Sequence, residues 1–254
     1  MKSVLQYEGK RVIVTGAASG IGATTAEILV DLGAEVHAID INKPEVTGLA
    51  SSSVVDLREP AEIDDAIAKI GKIVNGLFNC AGLPNTFPEL DVMLVNFCGL
   101  RAVTEAVVPL MIEGSAIASI ASSAGIGWMQ NLGVLFELLA TPDFATAKDW
   151  CEAHPEELQN AYGFSKEAIN AYTAQRSFTL APAGIRINCV NPGPTDTPMM
   201  DDFPVPLGRH AVAAEQAWPM VFLNSPRSSF VTGLQFDADG GFKGGMFTGQ
   251  IDAF

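Results

Sequence analysis

The chain of 254 residues is 48% hydrophobic, 8% aromatic and 17% charged, with 24 Gly and 15 Pro, a composition that supports a large buried core with many tight turns and argues against disorder. Its 15 Lys and Arg stand against 29 Asp and Glu, a formal charge of −14, which disfavours nucleic acid and anionic membranes as partners because both would be repelled. Cys80, Cys98, Cys151 and Cys189 lack CxxC spacing, and His37, His154 and His210 lie far apart, so no metal site and no disulfide framework are expected. With no apolar leader in MKSVLQYEGK and no run near the ~18 apolar residues of a span, a soluble cytoplasmic protein is the expectation.

Short Val- and Ile-rich runs alternate with longer stretches of helical periodicity. The runs Arg11–Thr15, Glu35–Ile39, Ser53–Val55, Gly76–Asn79, Ala116–Ile120, Arg186–Val190 and Gln235–Asp237 read as strands. Ile21–Leu32, Pro60–Ile70, Leu90–Met111, Tyr162–Ala181 and Val212–Leu223 read as helices. Seven strands separated by helices predict one α/β domain over residues 1–254, a doubly wound Rossmann-type parallel sheet with helices on both faces. Residues 127–160 are too long for an ordinary strand-to-helix loop. Their own apolar pattern (Leu132, Leu135, Phe136, Leu138, Leu139) predicts a helical insertion near the carboxyl ends of the strands, where such folds bind ligands.

Directly after the first strand, Thr15-Gly16-Ala17-Ala18-Ser19-Gly20-Ile21-Gly22 opens into a helix. Glycines in that setting allow a tight turn and let main-chain N–H groups approach a pyrophosphate at a positive helix terminus. The candidate phosphate-side residues are Gly16, Ser19, Gly20, Ile21 and Gly22. Asp40, 18 residues after Gly22, ends the second strand, where its carboxylate can accept both ribose hydroxyls of an adenosine and repel a 2′-phosphate. A solvated strand end is the alternative reading of Asp40. Ala18 and Ile41 add no basic residue there; Lys43 is the one nearby cation. The pattern predicts NAD over NADP. Asp56 and Leu57 fall where an adenine edge would lie, or serve as a helix start ahead of Pro60.

Tyr162 and Lys166, four apart at a helix start, share a face. An ammonium beside a phenol favours the phenolate and brings the Tyr pKa toward the range where acid–base catalysis is efficient. Taken singly, such a pair is more often structural. Its setting, with Ser123 after the fifth strand and Asn96 in the preceding helix, makes it a candidate active centre.

Together these motifs resemble the short-chain dehydrogenase/reductase family over nearly the whole chain: TGAASGIG at 15–22, Asn79-Cys80-Ala81-Gly82, Asn96, Ser122-Ser123, Tyr162-Gly163-Phe164-Ser165-Lys166, Pro192-Gly193 with Thr197, and Asp239-Gly240-Gly241. The resemblance implies a catalytic tetrad of Asn96, Ser123, Tyr162 and Lys166, with Ser122 packing. It also implies that Asn79, Ala81 and Gly82 line the cofactor cleft and that Val190, Pro192, Gly193, Thr195 and Thr197 hold the nicotinamide. Cys80 stands where the family has a second Asn, and Asn75 where it often has Asp. The 39-residue step from Ser123 to Tyr162 resembles the bacterial branch of 3α-hydroxysteroid dehydrogenase/carbonyl reductase and coniferyl-alcohol dehydrogenase.

The resulting expectation is NAD-dependent hydride transfer with a bulky apolar alcohol or ketone. Its pocket is expected to be walled by Trp128, Met129, Leu132, Leu135 and Phe136 from the insertion and by Met199, Met200, Phe203 and Val205 after the nicotinamide loop. A non-catalytic dinucleotide sensor on the same fold is the reading from another class. Relatives associate through helices corresponding to Leu90–Met111 and Tyr162–Ala181, which implies a homodimer or homotetramer. In the steroid-dehydrogenase branch a comparable insertion goes with an altered dimer.

Overall fold

The computed structural model describes residues 2–71, 73–199, 203 and 205–251. In chain order it contains α1 (Lys2–Leu5), β1 (Arg11–Thr15), α2 (Gly20–Asp31), β2 (Glu35–Asp40), β3 (Ser51–Val54), α3 (Pro60–Ile70), β4 (Val74–Asn79) and α4 (Glu89–Met93). A π-helical segment (Leu94–Gly99) then leads into α5 (Leu100–Val107), followed by β5 (Met111–Ile120), α6 (Leu132–Leu139), α7 (Phe144–Ala153) and α8 (Ala161–Leu180). The chain continues through β6 (Arg186–Pro192), β7 (Thr195–Asp196), β8 (Ala211–Val212), α9 (Ala213–Asn224), β9 (Gln235–Ala238) and α10 (Phe242–Phe247).

Seven strands form one parallel sheet in the order β3-β2-β1-β4-β5-β6-β9. Parallel pairing needs crossovers, so both faces are covered by helices and the central strands are apolar on both sides. Alternation along each strand divides the core. Ile13, Leu77, Ile117 and Ile187 face α3, α5 and α8, whereas Val12, Val14, Phe78 and Ala118 face α2 and α9. Because β1 pairs with β2 on one side and β4 on the other, the winding reverses between β1 and β4. A crevice opens there, beyond their carboxyl ends.

Two features depart from the periodicity. Leu90–Met111 reads as one helix, but the structure inserts the π segment and hands Met111 to β5. Continuous from 89 to 110, this run is apolar enough to span a bilayer by length and composition; it is mostly buried inside the fold. The insertion at 127–160 is helical as expected, with α6 packed on α8 and α7 on the π segment. Buried Arg101 holds it: its guanidinium donates to the carbonyls of Leu138, Thr141 and Asp143 and to the Thr141 hydroxyl.

Candidate active site

The β1–α2 turn is built around close backbone approach. Gly16 has φ +69°, and a Cβ there would lie 2.6–2.7 Å from the main chain of Cys80 and Ala81, so a side chain would push the β1 and β4 loops apart. A Cβ on Gly22 would run into the Gly16 carbonyl oxygen. Thr15 Oγ1 accepts from the N–H groups of Cys80 (3.1 Å) and Ala81 (3.3 Å), fastening the two loops. Ser19 caps α2 by position without a side-chain bond. At the end of β2, Asp40 is oriented by main-chain donors, Ala18 N–H at 2.9 Å and Asn42 N–H at 2.8 Å.

A cavity of about 480 Å³ runs from this turn to α8. Gly16, Ser19, Gly20, Ile21, Gly22, Asp40, Asp56 and Leu57 line one end. Ala81, Gly82, Ser122, Ser123, Tyr162, Lys166, Pro192, Gly193, Thr195 and Thr197 line the other. An elongated cleft with a glycine cradle and a ribose-side carboxylate at one end fits a dinucleotide; no metal-ligating cluster occurs among the described residues.

At the α8 end, Lys166 Nζ donates to the Ile120 carbonyl (3.1 Å) and lies 5.5 Å from the centre of the Tyr162 ring. Burial pulls its pKa down to about 8, since taking an ammonium from water disfavours the charge. Ser122, two residues past β5, has extended backbone, and its Oγ accepts from Ala124 N–H; Ser123 begins the following turn. The turn sits against α8 because Gly125 has no side chain: a Cβ there would be 2.7 Å from the Lys166 main chain, and Asn170 donates to the Gly125 carbonyl.

Asn96 lies in the π segment and is fully buried. Its Oδ1 accepts from Leu83 N–H (2.6 Å), and its Nδ2 donates to the Leu83 carbonyl (3.0 Å) and the Ser165 hydroxyl (3.2 Å). Gly82 separates it from Lys166; a Cβ there would be 3.2 Å from Asn96 Oδ1 and 3.6 Å from Lys166 Nζ.

Several placements differ from the sequence reading, and Leu132, Phe136 and Val205 do not line the cavity. Asn79 and Val190 are buried beneath the cavity rather than lining it, and Asn79 instead donates to Thr104 and Ser119. Leu135 is fully buried in the core, because α6 turns that side toward α8. Neither Trp128, packed on the same core, nor Met129, exposed at the surface, reaches the cavity. Met199 and Phe203 do line it, whereas Met200 lies outside the described residues. Leu83, Pro84, Phe87 and Val95 supply the apolar wall expected of the insertion. Arg58 also lines the cavity. Only the positions of Arg58 after β3 and of Leu83, Pro84 and Phe87 after β4 could have flagged them.

Residues 10–133 match the short chain dehydrogenase family, and residues 152–243 the family described as Enoyl-(Acyl carrier protein) reductase. The coniferyl-alcohol dehydrogenase of Pseudomonas sp. (strain HR199 / DSM 7063) is 33% identical over 93% of this chain and 98% of its own length. The 3-alpha-hydroxysteroid dehydrogenase/carbonyl reductase of Comamonas testosteroni is 33% identical over 92% and 97%. Among solved structures, the 3-alpha-hydroxysteroid dehydrogenase from Pseudomonas sp. B-0831 complexed with NADH superposes with a TM-score of 0.80 at 27% identity, covering 96% of this chain and all of that one. Seven-stranded parallel sheet, glycine turn, Tyr-Lys pair and full-length relatives agree: this chain is an oxidoreductase that belongs to the short-chain dehydrogenase/reductase family.

Proposed function

We propose that the protein is an NAD-dependent alcohol dehydrogenase or ketone reductase acting on a bulky, apolar, ring-bearing substrate. The observation that carries this reading is one continuous cavity with Asp40 at one end and Tyr162, Lys166 and the two serines at the other, beside a wall of Leu83, Pro84, Phe87, Val95, Met199 and Phe203. When bound, NAD supplies the hydride acceptor. Asp40 would hold the adenosine ribose, and Thr195 and Thr197 the nicotinamide side. Tyr162 would take the hydroxyl proton during oxidation and return it during reduction. Lys166, as ammonium, would stabilise the phenolate and hold a ribose hydroxyl. Ser123 would orient the substrate oxygen. Asn96 would hold a water that links it to Lys166 in a proton relay, with Gly82 keeping side-chain bulk away from both.

One observation favours Ser122 for the same role as Ser123. It keeps extended backbone two residues past β5, and having accepted the Ala124 N–H its hydroxyl still has a proton to donate. Loss of turnover in Ser123→Ala but not Ser122→Ala supports the first assignment, and the reverse supports the second.

For assembly we propose a homodimer through the β9 edge. The insertion packs over α8 and the π segment, the helices that relatives pair. The opposite side exposes Leu234 and Phe236 at the free edge strand, with Trp218 and Phe222 four apart on the neighbouring α9. Unpaired edges beside apolar side chains favour pairing with another chain.

The test of the catalytic reading is NADH formation with steroid, aromatic allylic and terpenoid alcohols against ethanol and 2-propanol. Ring-bearing alcohols are expected to lead in kcat/KM by at least ~100-fold, since burying apolar surface yields roughly 25 cal/mol per Å². Binding of NAD with no turnover of any alcohol or ketone would favour a dinucleotide sensor.

A further inference from the structure

Asn170 lies on α8 one helical turn after Lys166 and is fully buried, as is Cys189 on β6. Its Nδ2 donates to the Gly125 carbonyl at 2.9 Å, and its Oδ1 accepts from the Cys189 thiol at 3.1 Å. The sense of both bonds is fixed. A carbonyl only accepts, and burial pushes the Cys189 thiol up to about 12, so it keeps its proton for donation at neutral pH. One amide therefore joins the helix that carries Tyr162 and Lys166, the turn that follows Ser122 and begins at Ser123, and the strand that runs into the cavity-lining Pro192 and Gly193.

The serine turn needs such a tie. Upstream the sheet holds it, where Ala121 N–H donates to the Val190 carbonyl at 2.8 Å. Downstream its bonds are local. Gly125 N–H donates to the Ser122 carbonyl at 3.0 Å and Ile126 N–H to the Ser123 carbonyl at 3.2 Å, which shapes the turn without fixing where it rests on α8. The Gly125 carbonyl has a second donor in Trp128 N–H, but at 3.4 Å, long for a main-chain bond. Contact is close: a Cβ on Gly125 would lie 2.8 Å from Asn170 Nδ2. A hydroxyl that steers a reacting oxygen loses rate steeply when displaced by about 1 Å.

We propose that Asn170, held by Cys189, is a positioning residue that sets the serine turn against α8 and so places the substrate oxygen relative to Tyr162. The inference rests on the dehydrogenase reading above. Asn170 does not line the cavity, so its effect belongs to the reacting geometry: kcat falls while KM and NAD affinity hold.

The experiment is steady-state oxidation of a ring-bearing alcohol by the wild type, Asn170→Leu, Cys189→Val and Cys189→Ser, with calorimetric titration of NAD and thermal unfolding of each. Asn170→Leu keeps the shape without the amide, and its kcat is expected to fall about tenfold, with KM and NAD affinity within about threefold of wild type. Cys189→Val removes the donor to Oδ1 and is expected to lose about threefold in kcat, whereas Cys189→Ser, whose hydroxyl still donates, stays within about twofold. A hydroxyl costs more to bury than a methyl group. Cys189→Ser is therefore expected to unfold at a lower temperature than Cys189→Val yet turn over faster; a purely structural role would rank activity with stability. That pair decides the question even where Asn170→Leu fails to fold. A wild-type kcat in Asn170→Leu, a Cys189→Val variant at least as fast as Cys189→Ser, or NAD affinity lost in parallel with kcat overturns the inference and leaves the dehydrogenase reading standing. A wild type that oxidises no alcohol overturns that reading and this inference with it.

Discussion

Lys166, which the proposed mechanism employs, is costly to the free protein because it is buried. Its side chain is buried and its pKa lowered to about 8 by burial, against ~10.4 in an unfolded chain. The unfolded state therefore binds more protons between these values, and stability rises with pH through that window. Below about pH 8 the ammonium is carried in both states and the penalty is complete. Lys166→Met is thus expected to stabilise the free protein at pH 7 by about 1–3 kcal/mol while abolishing turnover, with the advantage shrinking from pH 8 to 10. Equal unfolding midpoints across that range would contradict this. Asp40 gives the second residue-scale expectation. Held by two main-chain N–H groups, it cannot easily turn from a phosphate dianion, so kcat/KM with NAD should exceed that with NADP by more than about tenfold; equal values would mean that a cation overrides it.

These residues were legible because their chemistry is written locally: glycines at turn spacing, a carboxylate at a strand end, a Tyr and a Lys one helical turn apart. Arg58, Leu83 and Phe87 were not. Each acquires its meaning from where two distant loops meet, and nothing in the neighbouring sequence distinguishes Phe87 from an ordinary loop aromatic.

At the scale of elements, the insertion illustrates the same boundary. LGVLFELL is apolar almost throughout, so its period announces a helix without saying which side meets a ligand and which the core. Leu135 went to the core and Phe136 to the surface. The π segment is invisible for a related reason, since one extra residue per turn leaves an apolar run apolar. The wall of the pocket accordingly moves. Phe87→Ala and Met199→Ala should each lower kcat/KM for a ring-bearing alcohol by about tenfold, and Met129→Ala should leave it within about twofold; steady-state kinetics on the three variants checks both. The insertion's attachment gives another expectation. Arg101→Met strips donors from three buried or half-buried carbonyls and one hydroxyl, a loss of about 2–4 kcal/mol. Hydrogen exchange should quicken in residues 138–147 first; unchanged protection there would show that α6 and α7 hold themselves in place.

For the whole molecule, the alternation of strands and helices determined more than any single motif. Seven parallel strands leave a crevice only where the winding reverses, and the glycine turn, Asp40, both serines and α8 all converge on it. The partner surface was less legible. The family resemblance pointed to the helices that α6 and α7 now pack over, and only the assembled sheet reveals β9 as an edge strand flanked by Trp218 and Phe222. Phe236→Asp with Trp218→Glu is expected to convert a dimer to a monomer in light scattering at micromolar concentration, with the far-ultraviolet spectrum retained. A wild-type monomer, or a dimer that survives both substitutions, would place assembly elsewhere.

The central claim is that Tyr162 moves the substrate proton while hydride passes to bound NAD. Its most direct test is the rate of NADH formation from a ring-bearing alcohol by the wild type and Tyr162→Phe, with NAD affinity measured on the same samples. The account expects the rate to fall by roughly 10²–10⁴-fold with affinity for NAD changed by less than about threefold. Near-normal turnover in Tyr162→Phe would contradict it.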